Sequence, residues 1–376
     1  MTRNASGELW NDASGEDLKS RSSFSDSPPL SPKYVKIINA IATLDEEELK
    51  FLARDKGGLL DDELRKKAWP ILLRINMETP LRKFTDDELK KHDSFQQVGL
   101  DVDRLSKRFP HSITFGKRVH LQQRLKMVIL RVLSENPHLH YYQGYHDVGL
   151  TILLVFDNDE DLAVRILNTI SNTKLFRFMG RNMDKVAGEL DTVFKLIGLK
   201  DATLEKFLKK SECGVMFCLS WVITWFAHDI ENYSSVVRLF DFFIADFECE
   251  APIHFATSLV LLHSRTLQLE ECSMANMHSC LSKLPTHIDN KSSELEDCVE
   301  LAHKLFLQYP RAYLEALECA QKLRAERMRK LRENLWQIKD KVYRFLWSKR
   351  TAGLMIFAIA IAYQTYRRNN IPVIER

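Results

Sequence analysis

Two short stretches combine side chains whose types and spacing suit chemistry at a polar site. The first is Val98-Gly99-Leu100-Asp101-Val102-Asp103-Arg104. In a helix Asp101 and Arg104 lie three residues apart on one face, so the carboxylate can orient the guanidinium. The second is His140-Tyr141-Tyr142-Gln143-Gly144-Tyr145. Here Gln143 beside Gly144 places an amide where another backbone can approach closely. Each stretch also has a plainer explanation. Asp101–Arg104 reads equally as a surface ion pair of little energetic worth. Tyr141 and Tyr145 read as core or subsurface aromatics, and Gln143 as a solvated side chain.

Other chemistries leave no mark. The chain has no GxxxxGK[ST] phosphate cradle and no GxGxxG after a strand. It has no GxSxG elbow, and no HExxH or paired His/Cys cluster that points to a catalytic metal. A self-contained hydrolase or kinase is therefore not expected. The seven cysteines are scattered without a CxxC pair. With no apolar N-terminal stretch, they read as reduced cytosolic thiols.

The elements that must position the two stretches are helical. Hydrophobic residues make up 45% of the 376, while Gly and Pro number 13 and 11. Long apolar periodic runs with few breakers predict an all-α protein. Leu125, Val128, Ile129, Val132 and Leu133 recur at the spacing of one helix face. The helix they predict ends at Asn136-Pro137, just before the second stretch. The run Val215–Ala227 is apolar nearly all round and reads as a buried core helix. Val236–Ala245 and Phe255–Leu262 read as its packing partners. Residues 1–33, rich in Ser, Asp, Gly and Pro, are expected to be a disordered tail. The helical domain is expected over 34–320, with its core at about 55–285.

Charge divides the chain. Residues 322–350 carry eleven Lys/Arg against three Asp/Glu, while the 321 residues before them carry a net −7. An acidic body argues against nucleic acid as a partner. Within 321–350, Met328, Leu331, Leu335, Ile338, Val342 and Phe345 step by three or four. Basic residues surround them, with Trp336, Tyr343 and Trp347 alongside. This is the pattern of a juxtamembrane amphipathic helix on a lipid surface; the alternative is a solvated helix packed on the domain. The uncharged run 351–366 follows, bracketed by Lys349-Arg350 and Arg367-Arg368. Sixteen helical residues reach roughly 24 Å. That is short, yet workable in the endoplasmic reticulum, whose apolar core is about 27 Å thick. The expectation is a single-pass tail anchor, followed by a short tail at 367–376, with the helical domain facing the cytosol. A helix that lies in the interface without crossing is the alternative.

Taken together, the stretches resemble a known family. Val98-x-x-Asp101-x-x-Arg104 is similar to the IxxDxxR motif of the TBC family of Rab GTPase-activating proteins, and Tyr141-x-Gln143-Gly144 to its YxQG motif. Their order and their separation of about forty residues also match. Gly57-Gly58-Leu59-Leu60 with Leu64-Arg65 and Ala68-Trp69 resembles the family's opening GIPxxxRxxxW element. Trp225-Phe226 and Arg238-Leu239-Phe240-Asp241 resemble its WF and RxWD elements. Val98 for Ile, Leu59-Leu60 for Ile-Pro, Tyr142 for Cys or Val and Phe240 for Trp are departures, none at Arg104 or Gln143. With the C-terminal segment, the likeness is to an endoplasmic-reticulum-anchored member.

The resemblance implies a multi-helix TBC domain that accelerates GTP hydrolysis by a Rab GTPase on early secretory membranes. Arg104 would meet the phosphate oxygens and Gln143 would orient the attacking water, both in trans. Asp101 would fix the arginine, while Tyr141 and Gly144 would hold the loop. GTP and magnesium belong to the partner GTPase, so no cofactor or metal of the chain's own is expected. The partners implied are a GTP-loaded Rab and membrane lipid. A non-catalytic membrane-anchored adaptor with a TBC-like fold is the alternative, although an adaptor has no need of both Arg104 and Gln143.

Overall fold

The computed structural model describes residues 31–370 except 108, 111–112, 182–183, 247–249, 289–291 and 349–351. Most of the expected N-terminal tail and the end of the C-terminal one thus lie outside the described residues. Those described include no β-strand, and the fold is all-α.

The chain begins with α1 (Pro32–Ala42), α2 (Glu46–Arg54), α3 (Asp62–Leu72) and the short α4 (Asp86–Lys90). Their starts are written locally. Ser31, Asp45 and Asp61 each accept a backbone N–H of the first turn they precede. Thr85 and Glu88 close a reciprocal capping box on α4. Next come α5 (Phe95–Asp103), α6 (Phe115–Glu135), α7 (Tyr145–Val155) and α8 (Glu160–Thr173). The long α6 packs against α5, α7 and α8. Its face Leu121, Leu125, Val128, Ile129, Val132 and Leu133 is fully buried, as the spacing predicts.

The second half holds α9 (Asp184–Lys200), α10 (Ala202–Ser211), α11 (Leu219–Ile223), α12 (Tyr233–Ile244) and α13 (Ala251–Leu262). Then follow α14 (Ser264–Leu267), α15 (Met274–Ser282), α16 (Leu284–Ile288) and α17 (Ser292–Gln308). The largely buried α13 packs against both α9 and α17.

The run Val215–Ala227 is buried over most of its length but is not one helix. It forms a 3-10 turn at Met216–Cys218, the short α11, and then a tight reversal. Trp225 and Phe226 both adopt positive φ, 52° and 64°. The Phe226 N–H donates back to the Trp221 carbonyl at 2.7 Å. A left-handed pair costs an L-residue roughly 1–2 kcal/mol each, and aromatic packing offsets it. Trp225 meets Phe240 and Phe243 edge-on, and Phe226 meets Phe255 edge-on. The partners expected on α12 and α13 are therefore the partners found.

Two helices end the described chain. The first is α18 (Arg311–Ser348), 38 residues long. It leaves the body after Leu314 is buried and Glu318 pairs with Lys195. Farther on, Met328, Leu331, Leu335 and Ile338 are exposed rather than packed on the domain. The second is α19 (Ala352–Asn370), which covers most of 351–366. The expected membrane-spanning helix is not matched: among the described residues no helix is long and apolar enough to cross a membrane. The physical reason is that Gln364, Arg367 and Arg368 enter any longer window on α19, while the uncharged part alone falls short of a hydrocarbon core about 30 Å thick.

Candidate functional site

Asp101 sits in the last turn of α5 and Arg104 directly after it, at the start of a 3-10 turn Arg104–Lys107. The helical backbone continues through Arg104, with φ −81° and ψ −8°, so the two side chains keep the spacing of one face. Arg104 Nη1 stands 3.9 Å from Asp101 Oδ1, with the arginine side chain 73% exposed and the aspartate 2%. Gln97, one turn earlier, donates its amide to Asp101 Oδ1 at 3.0 Å. Tyr141 donates its phenolic proton to Asp101 Oδ2 at 2.9 Å. The two stretches, forty residues apart in the chain, therefore meet at this carboxylate. Burial, and then the Asp101 charge, push the Tyr141 phenol far above its ordinary value, so it stays a proton donor.

The Gln143 loop is pinned on both sides. His140 N–H donates to the Met179 carbonyl at 2.8 Å, and Tyr142 donates to the Ile223 carbonyl at 2.6 Å. Gln143 is exposed between these pins. Gly144 has φ +105° and caps the start of α7. A Cβ there would lie 2.7 Å from Thr224 Cγ2, which is the close approach the residue type permits.

Arg104 and Gln143 line one open cleft of about 490 Å3, together with Asp101, Tyr142, Gly144, Ser220, Ile223 and Thr224. Three further polar residues in it carry no expectation from sequence. His146 Nδ1 lies 2.9 Å from Tyr141 Oη. His146 Nε2 lies 3.6 Å from Asp147 Oδ2. Asp147, also buried, holds His228 Nδ1 at 2.9 Å. A signal did exist for two of them: His146-Asp147 is an ionisable pair in a largely apolar α7.

Residues 62–269 match the model of the Rab-GTPase-TBC domain family. The chain belongs to this family. Human TBC1 domain family member 20 is 38% identical over 285 residues, which cover 75% of this chain and 68% of that protein. The GTPase-activating protein gyp10 of Schizosaccharomyces pombe is 31% identical over 280 residues, 72% of each. The crystal structure of the Ypt/Rab-GAP domain of Gyp1p aligns with a TM-score of 0.54 at 14% identity. It covers 73% of this chain and 99% of that one, and bears on the fold alone.

The structure also shows what the TBC domain's outer motifs do. Asp241 on α12 accepts from Arg65 Nη2 at 3.0 Å, from Trp69 Nε1 at 2.9 Å and from Leu59 N–H at 2.9 Å. The opening and RxWD-like elements thus close on each other across more than 170 residues. Arg238 extends the clasp, donating to the Ala53, Arg54 and Asp55 carbonyls and to Glu296. Gly58 passes so near that a Cβ would lie 2.5 Å from Asp241 Oδ2.

Proposed function

We propose that this protein accelerates GTP hydrolysis by a Rab GTPase, supplying Arg104 and Gln143 in trans. The observation that carries the reading is a single one. An exposed guanidinium, tethered by a buried carboxylate, shares an open cleft with an exposed amide on a pinned loop. Phosphoryl transfer to water needs charge stabilisation on the phosphate oxygens and an oriented nucleophile. Arg104 meets the first need and Gln143 the second. Asp101 and Tyr141 keep the arginine aimed before the partner arrives, which lowers the entropy lost on docking. The family and the activator names of its relatives support the same reading.

The test is single-turnover phosphate release from a panel of GTP-loaded Rabs, each also made with its own catalytic glutamine changed to Ala. A glutamine-less Rab is expected to respond to the wild-type protein and not to Gln143→Ala. A glutamine-less Rab that shows no response, while its parent responds well, would reduce the mechanism to an arginine finger alone.

The same reading places the protein on the endoplasmic reticulum, with the TBC domain in the cytosol and the C-terminal segment as its attachment. The exposed apolar stripe and basic flanks of α18 support a lipid-surface contact. Deleting 350–376 is expected to weaken membrane association without altering turnover on a soluble Rab. Alkaline carbonate separates the two modes of attachment: a crossing segment resists extraction, and an interfacial one is released.

A further inference from the structure

We propose that His146 is a positioning residue for the arginine finger, acting through Tyr141 and Asp101. The inference rests on the reading of Arg104 as a finger and adds to it the residue that holds the holder.

A phenol has one proton to give. Tyr141 gives it to Asp101 Oδ2 at 2.9 Å. His146 Nδ1, also 2.9 Å from the phenolic oxygen, is then met by a lone pair and must carry a proton. Tyr141 is thereby fixed from both sides, as an acceptor from His146 and a donor to Asp101. Hydrogen bonds in series polarise one another, so the first strengthens the second. The other ring nitrogen faces the buried Asp147 carboxylate at 3.6 Å, a contact longer than a hydrogen bond. The ring therefore stands between two buried carboxylates, Asp101 with 4.0 Å to Nδ1 and Asp147 on the far side. Asp147 is itself tied to His228 at 2.9 Å. The hydrogen-bonded order His146, Tyr141, Asp101 thus ends at the carboxylate beside Arg104.

If His146 acts through Tyr141, the position of its N–H matters more than its size. Asn places an amide N–H near Nδ1 and can reach Tyr141. Gln extends toward Asp147 and overshoots it. Phe keeps the ring and loses both contacts. The measurement is single-turnover hydrolysis on one responsive Rab over a range of activator concentrations, which separates maximal rate from half-saturating concentration. His146→Phe is expected to lose about 10–100-fold in maximal rate, the cost of a finger misplaced by about an ångström, with half-saturation within about threefold. His146→Asn is expected to stay within about threefold of wild type, and His146→Gln to fall with Phe.

A folded His146→Phe at full rate overturns the proposal, as do Asn and Gln variants of equal rate. If the Phe variant does not fold, the Asn and Gln pair decides. Arg104→Ala in the same assay separates this claim from the one beneath it. Full activity there removes the finger itself, whereas an inactive Arg104→Ala beside a fully active His146→Phe removes only the positioning role.

Discussion

Two of the TBC domain's aspartate–arginine pairs are of opposite design. Arg65 and Asp241 are 5% and 0% exposed and lie 3.0 Å apart. Arg104 and Asp101 are 73% and 2% exposed and lie 3.9 Å apart. Burying both charges is costly, and removing one partner then costs more. The clasp meets that cost with donors: Leu59, Arg65 and Trp69 all converge on Asp241. The cleft pair cannot be explained by stability. A solvent-exposed guanidinium at that distance gains about 1 kcal/mol at most, too little to justify a buried carboxylate. What the cleft secures is direction. Asp101, satisfied by Gln97 and Tyr141, is a fixed point from which an exposed cation projects. One pair closes the chain on itself, and the other leaves half of its interaction unspent for a partner.

The comparison breaks most sharply at Arg104. Arg104→Ala is expected to cost about 10³–10⁵ in stimulated turnover, as arginine fingers supplied in trans do. That equals roughly 4–7 kcal/mol of barrier. Its melting temperature should stay within about 2 °C of wild type, because surface substitutions rarely exceed about 0.5 kcal/mol. Lys is a poor substitute, since an ammonium lacks the planar fork. Near-full turnover by a folded Arg104→Ala would show that the exposed pair is ornament after all.

The mirror experiment is Asp241→Ala. It leaves Arg65 buried and charged with Asp62, 2.9 Å from Nη1, in place of its Asp241 contacts, and strands the Trp69 N–H. About 3–5 kcal/mol of stability should be lost, read by urea unfolding at unchanged slope. Turnover of the fraction that stays folded should be near normal. Turnover that collapses while the urea midpoint holds would move Asp241 into the catalytic apparatus and erase the distinction between the pairs.

Sequence made one pair far easier to find than the other's purpose. Asp101 and Arg104 are three residues apart, and helix geometry alone brings them together. Tyr141 and Gln143 were legible beside them through the second motif, though not that Tyr141 would bond Asp101. Arg65, Trp69 and Asp241 could be named from family likeness, but no local rule brings residues 176 apart into contact. His228 had no signal at all, since its link to Asp147 spans 81 residues. The helical face of α6 was legible because burial there follows the period of one helix. The break at Trp225-Phe226 was not, because apolar residues that favour continued helix are turned by their tertiary partners.

Smaller effects are expected at two glycines. Each aspartate site has a backbone that passes closely: Gly58 at the clasp with φ +57° and Gly144 at the cleft with φ +105°. Alanine at either position forces a side chain into left-handed backbone, at roughly 1–2 kcal/mol. The neighbours differ. At Gly58 the new Cβ meets Asp241 Oδ2 at 2.5 Å and Arg238 Cδ at 2.9 Å, atoms that several bonds hold in place. At Gly144 it meets the Thr224 methyl alone, at 2.7 Å. Gly58→Ala should therefore act on stability, lowering the urea midpoint with turnover little changed. Gly144→Ala should act on turnover, because Gln143 is the residue just before it and its loop must yield. Thr224→Ser removes the methyl and keeps the hydroxyl that donates to the Ser220 carbonyl at 2.7 Å. Added to Gly144→Ala, it should recover the part of the loss that is collision and leave the part that is backbone strain. The coupling between the two substitutions, read as a double-mutant cycle in turnover, should be favourable and about 0.5–3 kcal/mol. Strict additivity would mean that the left-handed φ alone, and not the approach of Thr224, requires glycine behind the amide.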